Sequence, residues 1–182
     1  MTRRIIILLL ALLAVYAGSV AFAFQAREHL TPEEIDLVKD AQVLDQRIDV
    51  FIKAADRRLL VLNAASNSET TSAKQLKKDS ETWGELPTGS RAELIGDISG
   101  IFDEAITNID DVSVRDENNP LIPKALRKLA AAATRVVETL KPIAKSEAEI
   151  NSFEQLAENA DSIIQAANKL PAAVEKKGKK KE

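Results

Sequence analysis

One histidine, His29, and no cysteine stand beside 28 acidic residues in this sequence, so carboxylates would have to carry any acid–base or metal chemistry. A Cys–His pair is excluded outright. A Ser–His–Asp triad would rest on His29, which precedes the first helical pattern and reads as a solvated linker residue. Haem ligation by the usual His and Met pair fails, because the only methionine is Met1. Carboxylate-bridged di-iron bundles need a Glu-x-x-His motif on each of two helices, and zinc sites of Cys and His fail by the same count. Nor is there a glycine-rich phosphate loop. Gly96 and Gly100 sit inside an apolar-periodic stretch, where they read as places of close helix packing.

The carboxylates themselves are dispersed. Asp36, Asp40, Asp45, Asp49 and Asp56 follow one another along a single helical pattern beside Lys39, Arg47, Lys53 and Arg57, which is the signature of a solvated face. Asp110-Asp111 with Asp116-Glu117 offers oxygens to a hard cation such as calcium, but lacks the EF-hand spacing and its turn glycine and reads as a helix end and a loop. No catalytic, cofactor or metal site is therefore expected, and the chain is read as non-enzymatic.

Two features offer contacts to a partner. Trp83, the only tryptophan, lies in the punctuated stretch Trp83-Gly84-Glu85-Leu86-Pro87-Thr88-Gly89, where it is either a partner anchor or, the favoured reading, a plug over one end of the core. Lys176, Lys177, Lys179, Lys180 and Lys181 lie in a disorder-prone tail, residues 172–182, that either solubilises the chain or meets an anionic envelope surface.

The elements between these features are helical. Alanine, leucine, isoleucine, glutamate and lysine dominate while aromatics and glycine are scarce, so an all-α fold is expected. Thr31, Pro32, Glu33 and Glu34 make a helix start, and apolar residues recur from Leu37 through Ala41, Leu44, Ile48, Phe51, Ala55 and Leu59 to Leu62. That stripe predicts one helix from Thr31 to Ala65, roughly 50 Å long. A short extra helix at 73–82 follows a polar loop. Ser90 with Glu93, and Ser146 with Glu149, have capping-box spacing and open two more stripes, one ending near Val112 and the other before Pro171. The remaining stripe runs from Leu126 to Ile143, with Pro142 expected to kink or end its helix. Four stripes that cannot be buried alone predict an antiparallel up-down four-helix bundle spanning residues 24–171.

Charge is distributed unevenly among these helices. Residues 121–145 carry six bases against Glu138, whereas residues 90–112 and 146–171 are acidic. The basic helix lies between the two acidic ones in sequence, and internal pairing with them is the expected use of its charge, the alternative being a basic docking face.

The address is read from the first residues. Arg3 and Arg4 precede the apolar run Ile5 to Ala17, and Ala21-Phe22-Ala23 fits the small-x-small cleavage pattern, so residues 1–23 are expected to be a secretory signal peptide cut after Ala23. The alternative is an uncleaved anchor, since Ile5 to Phe24 carries no charge. Cleavage leaves 159 of the 182 residues, enough for one self-sufficient core. Their balance of 23 bases against 28 acids disfavours nucleic acid. The absence of cysteine and of N-glycosylation acceptors leans toward a bacterial periplasm or culture medium. The function these features imply is binding of an unidentified protein or envelope component; carriage of an apolar small molecule, with room near Ala130 to Ala133, is the runner-up.

Overall fold

A computed structural model describes residues 28–64 and 80–171, whose regular structure is entirely helical, without a strand. Five helices are defined: α1 Pro32–Asp40, α2 Leu44–Ala64, α3 Arg91–Arg115, α4 Leu121–Leu140 and α5 Glu147–Asn168. Residues 80–83 add a short helical turn, while the rest of the extra helix expected at 73–82 lies outside the described residues. So do the leader at 1–23 and the lysine tail at 172–182. Among the described residues no helix is long and apolar enough to cross a membrane.

The helix starts follow their caps. The Thr31 and Ser90 hydroxyls accept from the backbone N–H of Glu34 and Glu93, and those glutamates reach back to the cap N–H groups. Ser146 accepts from Glu149 N–H, but the Glu149 carboxylate goes one residue further back, to the N–H of Lys145 at 3.0 Å. At the other end of α3, Arg115 donates from Nε to the Asp111 carbonyl at 2.9 Å. A base in the last turn also suits the helix dipole, and α3 runs a few residues beyond the expected end at Val112.

The single long first helix is not what forms. The chain breaks between Asp40 and Leu44, with Ala41 extended at φ −74°, ψ 90°. Side chains serve two carbonyls at the break: Gln42 donates to Lys39 O and Arg47 Nε to Ala41 O, each at 3.0 Å. Ala41 and Leu44 are both buried, so the apolar stripe continues across the break. Periodicity alone therefore runs straight through it.

One core joins the helices, built from Ile48, Phe51, Ile98, Phe102, Leu129, Val136 and Leu156, all fully buried. Burial of each large side chain favours folding by about 1.5 to 3 kcal/mol. α1 packs on α2, α2 on α3 and α4, α5 on α3 and α4, and α3 also touches α4. Polar contacts give the directions. Arg58 with Asp97 and Arg47 with Asn108 step oppositely along the chain, so α2 and α3 are antiparallel. Arg91 with Glu149 and Ser99 with Asn159 advance together, so α3 and α5 run parallel.

The same test corrects the charge expectation. The ion pairs of the basic helix α4 go not to the acidic helices α3 and α5 but to α2. Lys124 meets Asp45 at 2.8 Å, Lys128 meets Asp45 and Asp49 at 2.8 and 2.7 Å, and Arg135 meets Asp56 at 2.7 Å. The rungs 45/124, 49/128 and 56/135 all share a separation of 79 residues, so α2 and α4 run parallel. Asp45, Asp49 and Asp56 thus meet a neighbouring helix, while Asp49 and Asp56 keep much of their side chains in solvent.

Candidate functional site

The densest concentration of charge lies where α1, α2 and α3 meet. Glu34 is fully buried, Arg58 is 1 % exposed, and Arg57 and Asp97 are buried with them. Glu34 falls at position N3 of α1, where its capping role aims the carboxylate inward, and Arg58 receives it with Nη1 and Nη2 at 2.8 Å each. This fork-to-fork pairing is the strong form of the interaction. Arg58 also donates to the Ala54 carbonyl at 2.8 Å and the His29 carbonyl at 2.6 Å, and its Nε stands 3.9 Å from Asp97 Oδ2. With Thr31 N–H at 3.0 Å on Glu34 Oε2, both carboxylate oxygens are occupied. The cluster holds α1 and the segment before it against α2; it presents no group to a substrate.

Arg57 performs the matching task for the Trp83 loop. It donates to three successive carbonyls, Trp83, Gly84 and Glu85. Gly84 has φ +67°, and a Cβ there would also fall 2.8 Å from Glu33 Cδ, so this turn requires glycine. The Trp83 ring lies in the core, 8 % exposed, with Lys53 Nζ 4.7 Å and Arg57 Cζ 5.6 Å from its centroid. The ring is thus buried with two cations against it, and Pro87 is buried beside it in sequence while Leu86 stays exposed. The five tail lysines named as partner contacts lie outside the described residues.

His29 is not a free linker residue. Its Nε2 is 2.7 Å from Glu104 Oε2, and its ring lies on Gly100, where a Cβ would come within 2.9 Å of His29 Cγ. Gly100 thus makes room for a side chain from the N-terminal segment rather than for a neighbouring helix, and Gly96 has open space around it. A His–carboxylate pair is half of a nucleophile-activating device, but among the described residues no hydroxyl is hydrogen-bonded to the ring. Among those residues, too, no three of His, Cys, Asp and Glu are grouped to hold a metal ion, so Asp110, Asp111, Asp116 and Glu117 do not converge.

The far ends of the helices are joined by Arg91. It donates to the carbonyls of Leu62 at 2.9 Å and Ile143 at 3.2 Å, and its Nε lies 3.3 Å from Glu149 Oε1. The Lys145 N–H, and then Arg91, hold the Glu149 carboxyl below its usual range.

Among the described residues a cleft of about 310 Å³ lies between α3 and α5. Asp103, Ile106 and Asp110 line one side and Asn159, Ser162, Ile163 and Ala166 the other, none of them among Ala130 to Ala133. Ala133 is itself part of the buried core. Asn159 Nδ2 donates to the buried Ser99 hydroxyl at 2.9 Å, and Ser162 Oγ donates to the Glu158 carbonyl at 3.1 Å. Asp103 and Asp110 are exposed and make no ion pair among the described residues.

The chain matches no family model, no curated protein and no solved structure. Its functional reading rests on its own residues. Sequence reasoning missed Arg57, Arg58, Glu34, Asp97 and Arg91 as structural centres. The signal was present for one pair: Glu34, Leu37, Ala41, Leu44, Ile48, Phe51, Ala55, Arg58 and Leu62 alternate three and four residues apart, so both charged residues occupy slots of the apolar stripe.

Proposed function

We propose that this chain is an exported, non-enzymatic helical protein, freed by cleavage after Ala23, that works by binding a macromolecule in the periplasm or culture medium. The observation that carries the reading is the leader pattern: Arg3-Arg4, the charge-free run Ile5 to Ala17, then Ala21-Phe22-Ala23. In this proposal the four long helices α2 to α5 form an up-down bundle whose buried charge is spent on holding its own parts together. The engagement of Glu34, Arg57 and Arg58 with backbone and with one another supports that assignment, because a buried carboxylate held by a guanidinium that stays charged is a poor acid or base. The lysines at 176, 177, 179, 180 and 181 add a weak attraction to anionic envelope surfaces, each contributing at most about 1 kcal/mol.

Fractionation of the producing cell followed by N-terminal sequencing tests the proposal. Phe24 as first residue in the exported fraction supports it. Met1 in the membrane fraction replaces the free protein with an anchored one, and an intact chain confined to the cytoplasm overturns export altogether. Covalent capture of a macromolecular partner by the exported form, in the cell, tests the binding half.

A further inference from the structure

We propose that residues 28–40 are exchanged between two copies of this chain, α1 of each docking on α2 of the other while the break between Asp40 and Leu44 closes into one continuous helix. The inference goes beyond the export reading and does not depend on it. Its basis is a break that the local sequence does not encode. α1 ends at Ala41-Gln42-Val43, with no glycine or proline to stop it, and α2 starts behind Val43, which has no side-chain oxygen to cap a helix. The starts of α1, α3 and α5 are capped by Thr31, Ser90 and Ser146. The apolar stripe keeps its period through Leu37, Ala41, Leu44 and Ile48. What bends the chain is therefore tertiary. In a continuous helix Glu34 and Arg58, 24 residues apart, would be separated by about 36 Å, whereas they touch at 2.8 Å. α1 thus doubles back along α2.

The contacts that hold the bend are ones a second copy can supply. Glu34 meets Arg58, the His29 carbonyl accepts from Arg58 at 2.6 Å, His29 Nε2 lies 2.7 Å from Glu104, and Leu30 is buried in the core. Among the described residues α1 packs on no helix but α2, so it can leave as one unit with the residues before it. Straightening gives up the Gln42 bond to Lys39 O and the Arg47 bond to Ala41 O, and gains backbone bonds of a continuous helix. In a lone chain it would also strip Glu34 from buried Arg58, which is strongly destabilising. In a pair that loss is made good. Because α1 doubles back on α2, two straightened chains laid antiparallel bring Glu34 of each to Arg58 of the other at once, the same separation lying between the two residues on both copies. The exchange closes with twofold symmetry and leaves neither Arg58 without its carboxylate.

The experiment uses the full chain, as purified from its producing cell, in two single variants, His29→Cys and Glu104→Cys, whose positions adjoin and are partly exposed. Both states use this contact equally, so its loss does not favour either. The two variants are incubated together at high protein concentration and treated with a short bismaleimide. A covalent dimer linking position 29 of one copy to position 104 of the other is expected, from a gel-filtration dimer that returns slowly to monomer on dilution. The double variant His29→Cys/Glu104→Cys, treated when dilute, should link within one chain. Gln42→Pro suits the extended Ala41 before it but not a helix interior, so it should abolish the link between copies and, added to the double variant, leave the link within a chain. Val43→Ala should raise the dimer constant by about threefold for each hinge, the helix preference of alanine over valine. The proposal is overturned if the mixed variants give no 29–104 link at any concentration, if a dimer forms but links 29 to 104 only within a chain, or if Gln42→Pro dimerises as readily as the parent. Should Gln42→Pro fail to fold, an unchanged dimer constant for Val43→Ala overturns it instead. None of these outcomes bears on where the chain resides.

Discussion

Arg58 occupies an apolar slot, and the cost of that choice is set by Glu34. Two ions removed from water are each destabilising, and their mutual attraction with full hydrogen bonding offsets the penalty only while both are present. Arg58→Met should therefore lower unfolding free energy by about 3 to 5 kcal/mol, because it takes the two-pronged donor from buried Glu34 and leaves the Thr31 N–H and, at 3.6 Å, Arg57 Nε beside it. The double variant Glu34→Met/Arg58→Met should be more stable than Arg58→Met alone, since it removes the buried carboxylate that the single variant deprives of its two-pronged partner; urea denaturation at neutral pH measures both. A double variant less stable than the single one would show that the ion pair is not what the charges are for. The two glycines of α3 make a second contrast. Alanine favours a helix over glycine by about 1 kcal/mol, so Gly96→Ala, with open space around it, should stabilise by up to that amount. Gly100→Ala should lose that gain, because its Cβ must push His29 off Glu104; the difference between the two melting temperatures is the readout. Neither contrast is legible from glycine spacing, since what meets Gly100 arrives from a residue 71 positions earlier in the chain.

At the scale of elements, caps and stripes were legible because they depend on residues a few positions apart. Thr31, Ser90 and Ser146 begin their helices as their spacing predicts, and Pro142 lies just beyond the end of α4. The break at 41–43 was not legible, because Ala41 and Leu44 keep the apolar period on both sides of it and the donors that stabilise it are side chains of Gln42 and Arg47. The partner of α4 was not legible either: the number of charges on a helix does not say which face they occupy or which helix meets that face. The α2–α4 ladder itself makes a pH prediction. Hydrogen bonds from Lys124, then Lys128, lower the Asp45 pKa. A carboxylate lowered in the folded state stabilises above its unfolded pKa and loses that contribution as pH falls through its folded value. Asp45→Asn should therefore be less stable than the parent at pH 7, with the difference closing below about pH 4. Lys128 is desolvated, which lowers its pKa, but hydrogen bonds to Asp45 and Asp49 outweigh this and leave it raised. Its contribution is full at neutral pH and lost only as pH rises beyond about 10.4, the unperturbed lysine value, so one series of urea denaturations across pH tests both limbs.

For the whole molecule, the neighbour order is the property that local signals leave open. Short connections at 116–120 and 141–146 keep α3, α4 and α5 consecutive, and a simple cyclic order would set α4 between α3 and α5 with α2 across the core from it. Instead α2 lies beside α4, α3 lies beside α5, and α2 and α5 share no contact among the described residues. Both lateral pairs are parallel, so each puts residues distant in sequence at equal height. A chain without cysteine allows this arrangement to be tested with no competing thiol. In separate double variants, Asp45→Cys/Lys124→Cys and Asp56→Cys/Arg135→Cys replace partners that touch at 2.8 and 2.7 Å, and a short bismaleimide should crosslink both. The crossed pairs, Asp45→Cys/Arg135→Cys and Asp56→Cys/Lys124→Cys, are displaced by 11 residues of helix, about 16 Å, and should not react. An antiparallel contact between the same helices cannot give that pattern, because any register that brings 45 to 124 carries 56 away from 135. Crosslinking of the crossed pairs instead would reverse α4 relative to α2 and break the register that brings its basic residues to Asp45, Asp49 and Asp56.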